Sequence, residues 1–505
     1  MGYTDLSKPS KTRGANDVAI VDPNSTFGEL LTAQLRPVAQ GDFVHNINSQ
    51  IFTTSSFAGA TVTTVAGNAV LSSGTDAAGS ATVQLRRRLE YRPGQGALMR
   101  ATAIFDTPSA GNAQFVGAGT AECGYFMGYF AGNFGILHSE TGAREVRKLT
   151  VTTGEDTEDV TVTLDGSSIV VPVSGNNSVT QTAYQLSLGD YSQVGNGGWL
   201  ADAVGDTVFF IAARSNSTST GAYSVSGPAI VGSFTREQVG EAQTNTFITS
   251  GSFNVDKLDG SGPSGMVLDP QKGNVYQIGY QYLGYGNAIF GVEDPETGQN
   301  TLCHMIKNAN ARTTPVLKDP NLSVLATSAN IGGTTSKVLK TASMAGFNEG
   351  PIEKLDPKFA ASFPLSINSA TYVPVAIIKA NRYFDGRSSF GEFDILRISA
   401  SNETNNKTLT IGFFLNAKID GDVDYQYVNE TESIVSYAAL DPSSDTLVNG
   451  NLSPFYEFIA GSNSGTSQNL EDLKFVFGPG KNFVIAVKTT GAITGLVGFN
   501  WFEQQ

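Results

Sequence analysis

The histidines and cysteines have the side chains that most often perform chemistry, and this sequence has few of them. His45, His138 and His304 are scattered along the chain, whereas a histidine-based metal or nucleophile site needs several ligands together. Cys303 and His304 are adjacent, and adjacent residues of a regular strand point to opposite faces, which argues against a direct Cys–His pair. We therefore expect structural histidines and, in Cys123 and Cys303, two buried thiols, although one disulfide is arithmetically possible.

Three acidic residues at alternate positions offer oxygen ligands of the kind that Ca²⁺ prefers: Asp420, Asp422 and Asp424. A calcium loop also requires Gly at its sixth position and Glu at its twelfth, where this chain has Tyr425 and Thr431. The pattern therefore predicts a solvated loop and no metal. The acidic run Thr153–Asp159 is interpreted in the same way, as an exposed turn.

Two glycine-rich stretches match phosphate-binding motifs by letter. Gly260–Gly265 reads G-x-G-x-x-G, but it contains Pro263 and lacks the preceding strand and following helix that the motif needs. Gly478–Lys481 lacks the upstream glycine and the Ser or Thr of a P-loop. Both are predicted to be loops, and the sequence predicts no cofactor, no metal and no catalytic residue.

Carbohydrate chemistry is the possibility that the residues leave open. A pair of carboxylates for glycoside hydrolysis is defined by its separation in space, so the sequence selects none. Tyr280, Tyr282 and Tyr285 could stack on sugars, but packing in a core explains them equally well. Four N-x-S/T triplets would matter only in a secreted or glycosylated protein: Asn216, Asn402, Asn406 and Asn429.

The charge composition limits the classes of partner that this protein is expected to bind. The chain has 505 residues with 32 basic and 46 acidic side chains, a net charge of −14. A protein that binds nucleic acid needs a basic surface, so direct contact with DNA or RNA is not expected. The basic cluster Arg86–Arg88 is predicted to be a solvated strand edge or to pair with nearby acids. Neither a secretory signal nor a membrane-spanning segment is recognisable.

Many short strands are predicted. Only 15% of residues are charged and 56 are glycine, which is typical of strands joined by tight turns. Turns are predicted at Arg92–Gly94 and at Asp165–Gly166, and paired strands over Cys123–His138. Ser178–Leu188 is predicted to form a short helix with Ser178 or Thr180 as its N-cap.

These patterns give a mainly β fold of several antiparallel β-sandwiches or jelly rolls, with a small α+β module inserted in one of them. The predicted order is an N-terminal arm, a sandwich interrupted by the module, and a C-terminal sandwich. The predicted boundaries are 1–38 for the arm, 39–146 plus 236–350 for the interrupted sandwich, 147–235 for the module and 351–505 for the last sandwich.

Three stretches resemble β-rich structural proteins of the particles of tailed phages and large DNA viruses. YRPGQGALMRATAIF (Tyr91–Phe105), GYFMGYFAGNFGILH (Gly124–His138) and the run from Asp256 to Gly298 look like a concanavalin-like sandwich of such proteins. DVTVTLDG (Asp159–Gly166) with the following helix is similar to their small inserted module. FVFGPGKNFVIAV (Phe475–Val487) and the final FNWFE look like their C-terminal β-sandwich.

The resemblance implies presence in a virus particle and no catalytic residue. We therefore expect a non-enzymatic structural protein of the capsid or tail surface of a double-stranded DNA virus, made in the host cytoplasm. Its partners would be other virion proteins and further copies of itself. The alternatives are a spike that binds a receptor or host glycan and, third, a polysaccharide-degrading enzyme of the virion.

Overall fold

The computed structural model describes most of the chain: residues 34–49, 51–120, 123–140, 142–174, 178–195, 197–216, 218–350, 357–448, 454, 456–470 and 475–504. Most of the predicted N-terminal arm lies outside these residues. The first described strand begins at Leu35, within the range predicted for the arm.

The chain forms two compact units. Unit 1 contains the described residues of Met1–Ser139 and Asn245–Glu353, and unit 2 contains those of Glu140–Thr244 and Lys354–Gln505. Unit 1 is therefore built from two stretches of sequence, and the stretch between them belongs to unit 2.

The strands that precede the interrupting stretch are β1 Leu35–Asp42, β2 Phe52–Phe57, β3 Thr61–Val65, β4 Asn68–Ser72, β5 Ser80–Leu85, β6 Ala97–Ala103, β7 Asn112–Gly119, β8 Gly124–Phe130 and β9 Asn133–Glu140. The interrupting stretch contains β10 Val146–Thr153, β11 Thr157–Leu164, β12 Ser167–Ser174, helix α1 Val179–Ser187, β13 Trp199–Val204, β14 Thr207–Ala212, β15 Ser224–Ser226 and β16 Val231–Gln238.

Unit 1 then resumes with β17 Thr244–Thr249, a 3₁₀ turn Ser250–Ser252, β18 Asn274–Tyr280, β19 Ala288–Glu293, β20 Asn300–Ile306, β21 Ser323–Asn330, β22 Val338–Thr341 and β23 Ser343–Glu349. The C-terminal part contains β24 Lys358–Ile367, β25 Val373–Ala380, β26 Tyr383–Phe384, β27 Arg387–Ser388, β28 Glu392–Asn402, β29 Leu409–Leu415, β30 Lys418–Asp420, β31 Gln426–Tyr427, β32 Val435–Ala439, β33 Thr446–Val448, β34 Tyr456–Ala460, β35 Ser464–Asn469, β36 Val476–Phe477, β37 Asn482–Thr489 and β38 Ile493–Gln504.

Unit 1 is a sandwich of two antiparallel sheets. Six strands are ordered β1-β23-β6-β18-β19-β20, and seven are ordered β17-β9-β8-β7-β21-β5-β2. Inward residues of both sheets form one hydrophobic core, as alternating strands require. A three-stranded sheet, β22-β4-β3, lies alongside. This arrangement agrees with the concanavalin-like sandwich that the sequence resemblance implies.

The glycine-rich run Cys123–His138 forms paired strands, as predicted. β8 and β9 make a hairpin whose turn is Ala131–Gly132, and both turn residues have positive φ. On the outer face of β8 the ring of Phe126 lies over β7, where a Cβ on Gly117 would come within 2.6 Å of that ring. Glycine on β7 therefore makes room for an aromatic side chain on its neighbour.

The interrupting stretch of unit 2 is an α+β module. Its sheets are ordered β13-β14-β10-β16 and β12-β11-β15, and α1 closes its core. The predicted hairpin at Asp165–Gly166 is confirmed, because both residues have positive φ and Leu164 pairs with Ser167. The predicted helix is confirmed too, with Ser178 as N-cap: its hydroxyl accepts a hydrogen bond from the Gln181 amide.

The C-terminal part of unit 2 is a second sandwich. One sheet runs β24-β38-β28-β35, with β36 also paired to β28, and the other runs β31-β32-β25-β37-β29-β34. Their facing residues form a separate core that includes Trp501 from the final FNWFE run. No helix among the described residues is long and apolar enough to span a membrane.

Within unit 2 the module is fixed to the C-terminal sandwich by buried polar contacts. Lys379 of β25 donates to the carboxylate of Asp202 on β13 and to the carbonyl of Ala203 at 2.6 Å. The Arg382 amide donates to the other Asp202 oxygen at 2.7 Å. From α1, the Tyr184 hydroxyl donates to the Ile419 carbonyl at 3.2 Å. These contacts join two hydrophobic cores into one unit.

Tyr184 makes the stability of unit 2 sensitive to high pH. Burial raises the pKa of Tyr184 to about 12 from the ordinary value of 10.0. The stabilisation this implies is complete below pH 10 and is lost as the pH rises towards 12, because only the unfolded chain ionises easily there. We expect Tyr184→Phe to be less stable than wild type by about 1 kcal/mol at pH 8, through the lost hydrogen bond.

The difference between the two proteins should shrink above pH 10, since phenylalanine does not ionise. Urea unfolding at pH 8, 10 and 11, followed by tryptophan emission, measures the difference in the free energy of unfolding between wild type and Tyr184→Phe. Trp199 and Trp501 are the chain's two tryptophans and both belong to unit 2. A difference that stayed constant over this range would contradict the assigned role of the hydroxyl.

Candidate functional site

The three histidines occupy separate places in unit 1. His45 is exposed, and His138 is buried with its ring stacked on Tyr125 at 4.9 Å between centroids. His304 is buried, its Nδ1 accepts from the Asn254 amide at 3.2 Å, and burial lowers its pKa. Among the described residues no group of three or more His, Cys, Asp and Glu side chains is placed to hold a metal ion.

Both cysteines are free and buried, as expected. The argument that separated Cys303 from His304 needs correction, because β20 is not regular at this point. Phe290 pairs with His304 and Gly291 with Leu302, so Cys303 is the extra residue of a β-bulge, and Cys303 and His304 are both buried. The Cys303 thiol donates to the Phe290 carbonyl at 3.3 Å, and burial raises its pKa to about 12. It is therefore an inert thiol.

The acidic stretches are mostly solvated. Asp420, Asp422 and Asp424 are exposed, as predicted, but only Asp422 and Asp424 lie in a loop, because Asp420 ends the short strand β30 and pairs with Thr446. The interpretation of Thr153–Asp159 as an exposed turn is wrong for Glu155, which is only 1% exposed. Its carboxylate accepts from the amides of Ala229 and Ile230 at 2.8 and 3.0 Å. The short polar sequence around Glu155 does not indicate this burial, because the amides that bond to Glu155 lie far along the chain.

The glycine motifs and the basic cluster have structural roles. The G-x-G-x-x-G stretch is a loop folded around Asp256, whose carboxylate accepts from the amides of Leu258 and Ser264. Gly478–Lys481 is a turn between β36 and β37. Of the basic cluster, Arg88 pairs with Asp319 at 3.0 Å, which agrees with the expected pairing with nearby acids.

The three candidate tyrosines have different environments in the structure. Tyr280 ends β18 and is buried in the core of unit 1, so it is unavailable to a ligand. Tyr282 lies in the loop after β18, where it is half-buried, and Tyr285 is 41% exposed. Tyr91, from the loop after β5, contacts Tyr282 edge-on with 4.9 Å between ring centroids. We call Tyr91, Tyr282 and Tyr285 the tyrosine cluster.

Hydrogen bonds hold the tyrosine cluster in place. The Tyr282 hydroxyl donates to the Leu317 carbonyl, and the Tyr91 amide donates to the Asn321 side chain at 2.7 Å. Burial raises the pKa of the Tyr91 hydroxyl. The rings of Tyr91 and Tyr282 are therefore fixed before any ligand arrives, which reduces the entropy lost on binding.

Charged and amide side chains surround the tyrosine cluster. Arg92 pairs with Glu90 at 3.1 Å beside Tyr91. Arg312 donates through Nε to Asn308 at 3.2 Å, and Asn308 in turn donates to the Gly286 carbonyl at 2.8 Å. Rigid rings flanked by forked donors and carboxylate acceptors can hold a neutral, hydroxyl-rich ligand.

Sequence reasoning found Tyr282 and Tyr285 but missed Tyr91. The run YRPG was interpreted only as a turn, because Pro93 and Gly94 dominate its pattern. Nothing local indicates that this turn meets the loop after β18. The residues Glu90, Arg92, Asn308 and Arg312 were missed for the same reason.

Unit 2 contains a cleft. A cleft of about 260 Å³ is lined by Ser366, Ile367, Asn368, Thr404, Ala492, Ile493 and Thr494. Its lining has no charged or aromatic side chain, so it lacks groups that would orient a ligand strongly. The N-x-S/T asparagine Asn402 is 1% exposed nearby and donates to the Lys407 carbonyl, which makes it unsuitable as a glycan acceptor.

Comparison of the sequence with protein-family models and with curated proteins finds no match. Among solved structures, similar chains include a legume lectin-like domain from Entamoeba histolytica, with 10% identity over 59% of this chain and 89% of that chain and a TM-score of 0.24. The exoplasmic/lumenal domain of VIP36, bound to Ca²⁺ and Man3GlcNAc, has 10% identity over 64% and 93% and a TM-score of 0.25.

The lectin UEA-II, complexed with galactose, has 8% identity over 62% of this chain and 99% of that chain, with a TM-score of 0.22. At these identities and TM-scores the likeness supports no conclusion about this chain. The resemblance to virion proteins stays a prediction from the sequence.

Proposed function

We propose that this chain is a non-enzymatic glycan-binding protein and that the tyrosine cluster of unit 1 contacts the sugar. The observation that carries the proposal is the fixed pair Tyr91 and Tyr282 together with the exposed ring of Tyr285, which lies three residues after Tyr282 in the same loop. Tyrosine gives a large contact area with little side-chain entropy to lose, and its hydroxyl bonds to polar ligands. Sugars present both apolar C–H faces and hydroxyl groups, which suit such a surface.

The charges around the cluster favour a neutral glycan. Glu90 neutralises Arg92, and Arg312 donates to the neutral side-chain amide of Asn308, so these residues do not form a strongly basic cluster. A strongly anionic ligand would need a surplus of basic groups, and a cationic one a surplus of acids. Balanced donors and acceptors instead match hydroxyl groups, which both donate and accept.

We place the protein on the surface of a virus particle, where glycan binding would serve host attachment. This part of the proposal is supported by the sequence resemblance to virion structural proteins, and it makes other virion proteins its partners. Purified particles provide the test: the chain should sediment with them at a fixed copy ratio. A chain found only in soluble fractions would contradict the location while leaving glycan binding open.

Glycan binding is tested with Tyr285→Ala. We expect wild-type protein to bind a subset of neutral glycans on an array, and Tyr285→Ala to bind them at least about tenfold more weakly, since it loses one stacking surface. Tyr285→Phe is the matched control, because it keeps the ring and removes only the hydroxyl. It should retain most of the affinity.

Two results would contradict the proposal: a wild-type protein that binds no glycan, and a Tyr285→Ala variant that binds as wild type does. Circular dichroism of each variant checks that it is folded, and Tyr285 is exposed enough for the exchange to be tolerated. Release of shortened chains from a bound polysaccharide would favour the enzymatic alternative instead.

A further inference from the structure

The segment Phe52–Val65 forms the edges of two sheets in succession. β2 is the last strand of the seven-stranded sheet and pairs with β5, and β3 is the last strand of the three-stranded sheet and pairs with β4. Among the described strands neither has a second partner. Unpaired sheet edges readily pair with another strand.

β2 is exposed on both of its faces. In a sandwich, alternate residues of an edge strand are normally buried, yet every residue from Thr53 to Phe57 is exposed. The side chain of Phe57 is 66% exposed, and that of Val65, at the end of β3, is 60% exposed. The strand therefore lies beyond the part of the core that could cover it.

The backbone of β2 has a row of groups that face away from β5. The Ile51 carbonyl accepts from the Arg86 amide at 2.8 Å, which sets the alternation of an antiparallel pair. By that alternation Thr53 and Ser55 bond to β5, and the amides and carbonyls of Thr54 and Ser56 point to the free side.

Two other edge strands of unit 1, β1 and β20, are protected, whereas β17 at the opposite edge of the seven-stranded sheet has neither a charge nor a proline. β1 carries Arg36, Pro37 and Asp42, which discourage pairing. β20 is covered by the segment before Asp256, since Asn254 exchanges hydrogen bonds with the Met305 backbone. The segment Phe52–Val65 has no charged residue and no proline, so it lacks both devices.

We propose that β2 pairs with β2 of a second copy of this chain, antiparallel across a twofold axis, so that the two seven-stranded sheets become continuous. Only an extended strand satisfies a row of backbone donors and acceptors. The net charge of −14 opposes approach of two copies elsewhere on the surface, whereas this segment is neutral. An antiparallel pair of identical strands is self-complementary, as a twofold interface requires.

The test is the mass of the full chain in solution, by light scattering on a sizing column and by analytical ultracentrifugation over a range of concentrations. We expect wild type at twice the chain mass of 53.2 kDa. Thr54→Lys adds an edge charge, and Thr54→Pro removes an amide that faces away from β5, so each should weaken the dimer at least tenfold. Gln271→Lys, on an exposed turn, makes the same change of charge and should stay dimeric.

Three outcomes overturn the proposal: a wild-type monomer at every concentration, a closed trimer or larger ring, and a dimer that both Thr54 variants leave intact. Circular dichroism shows whether each variant is folded. The lysine variant keeps the backbone bonds of β2, so it remains informative even where proline disturbs the strand. Because this contact is distant in sequence from the tyrosine cluster, its failure leaves the glycan proposal untouched.

Discussion

Replacing Asp202 by alanine is expected to lower the free energy of unfolding of unit 2 by about 3–5 kcal/mol. Asp202 and Lys379 are each only 7% exposed at the side chain, and the Lys379 ammonium lies 4.0 Å from the centre of the Tyr425 ring. Burial lowers the pKa of Lys379, and the charge of Asp202 opposes that change. Without the carboxylate an ammonium group and the Arg382 amide would remain buried with fewer partners.

The matched comparison removes both charges. Lys379→Met with Asp202→Leu should recover most of the lost stability, because an apolar pair of similar volume replaces a buried ion pair at little net cost. Lys488→Ala breaks an exposed pair with Glu457 in the same unit and should cost less than about 1 kcal/mol. Urea unfolding followed by tryptophan emission measures all three. Equal losses for Asp202→Ala and Lys488→Ala would contradict the importance of burial.

Local patterns predicted the elements of this fold well. The Asp165–Gly166 hairpin and the Ser178 cap were identified because their residues impose a backbone conformation or satisfy an amide within three residues. The glycine-rich run Cys123–His138 likewise identified the paired strands β8 and β9. Such signals depend only on neighbours along the chain, which the sequence contains directly.

Pairing between distant segments was harder to predict from the sequence. β5 and β6 flank the predicted turn at Arg92–Gly94, but they belong to different sheets of the sandwich, so the turn connects layers. Lys379 and Asp202 are 177 residues apart, and no local rule assigns one to the other. The bulge at Cys303 also depends on which strand lies opposite. These features arise from three-dimensional packing.

The candidate site shows the same difference between what local sequence predicts and what depends on three-dimensional packing. Tyr282 and Tyr285 were selected for their type, but their environment separates them from Tyr280, which the core buries. Tyr91 joins them only because two loops meet at one end of unit 1. Residue type can thus suggest the chemistry of a sugar-binding surface, while the members of the surface are fixed by how the loops are placed.

Trp501→Ala is expected to cost unit 2 about 3–5 kcal/mol. Trp501 is fully buried in the second sandwich, and its ring stacks on Phe499 with 4.7 Å between centroids. Its Nε1 donates to Glu503 at 2.7 Å, and the same carboxylate accepts from the Ser433 hydroxyl and the Ile434 amide. The exchange therefore creates a large cavity and removes a donor from a buried carboxylate.

Trp501→Phe separates the two contributions, because it keeps much of the ring volume and lacks the indole N–H. It should lose about 1–3 kcal/mol, the usual cost of an unmet hydrogen bond to a buried charged group. Emission from Trp199, the remaining tryptophan of unit 2, reports urea unfolding of both variants. If the two variants lost equal stability, the cavity would make no contribution to the free energy of unfolding, and the lost hydrogen bond to Glu503 would account for the whole effect. The larger loss expected for alanine would instead show that the aromatic core closed by the final strand determines the stability of this sandwich.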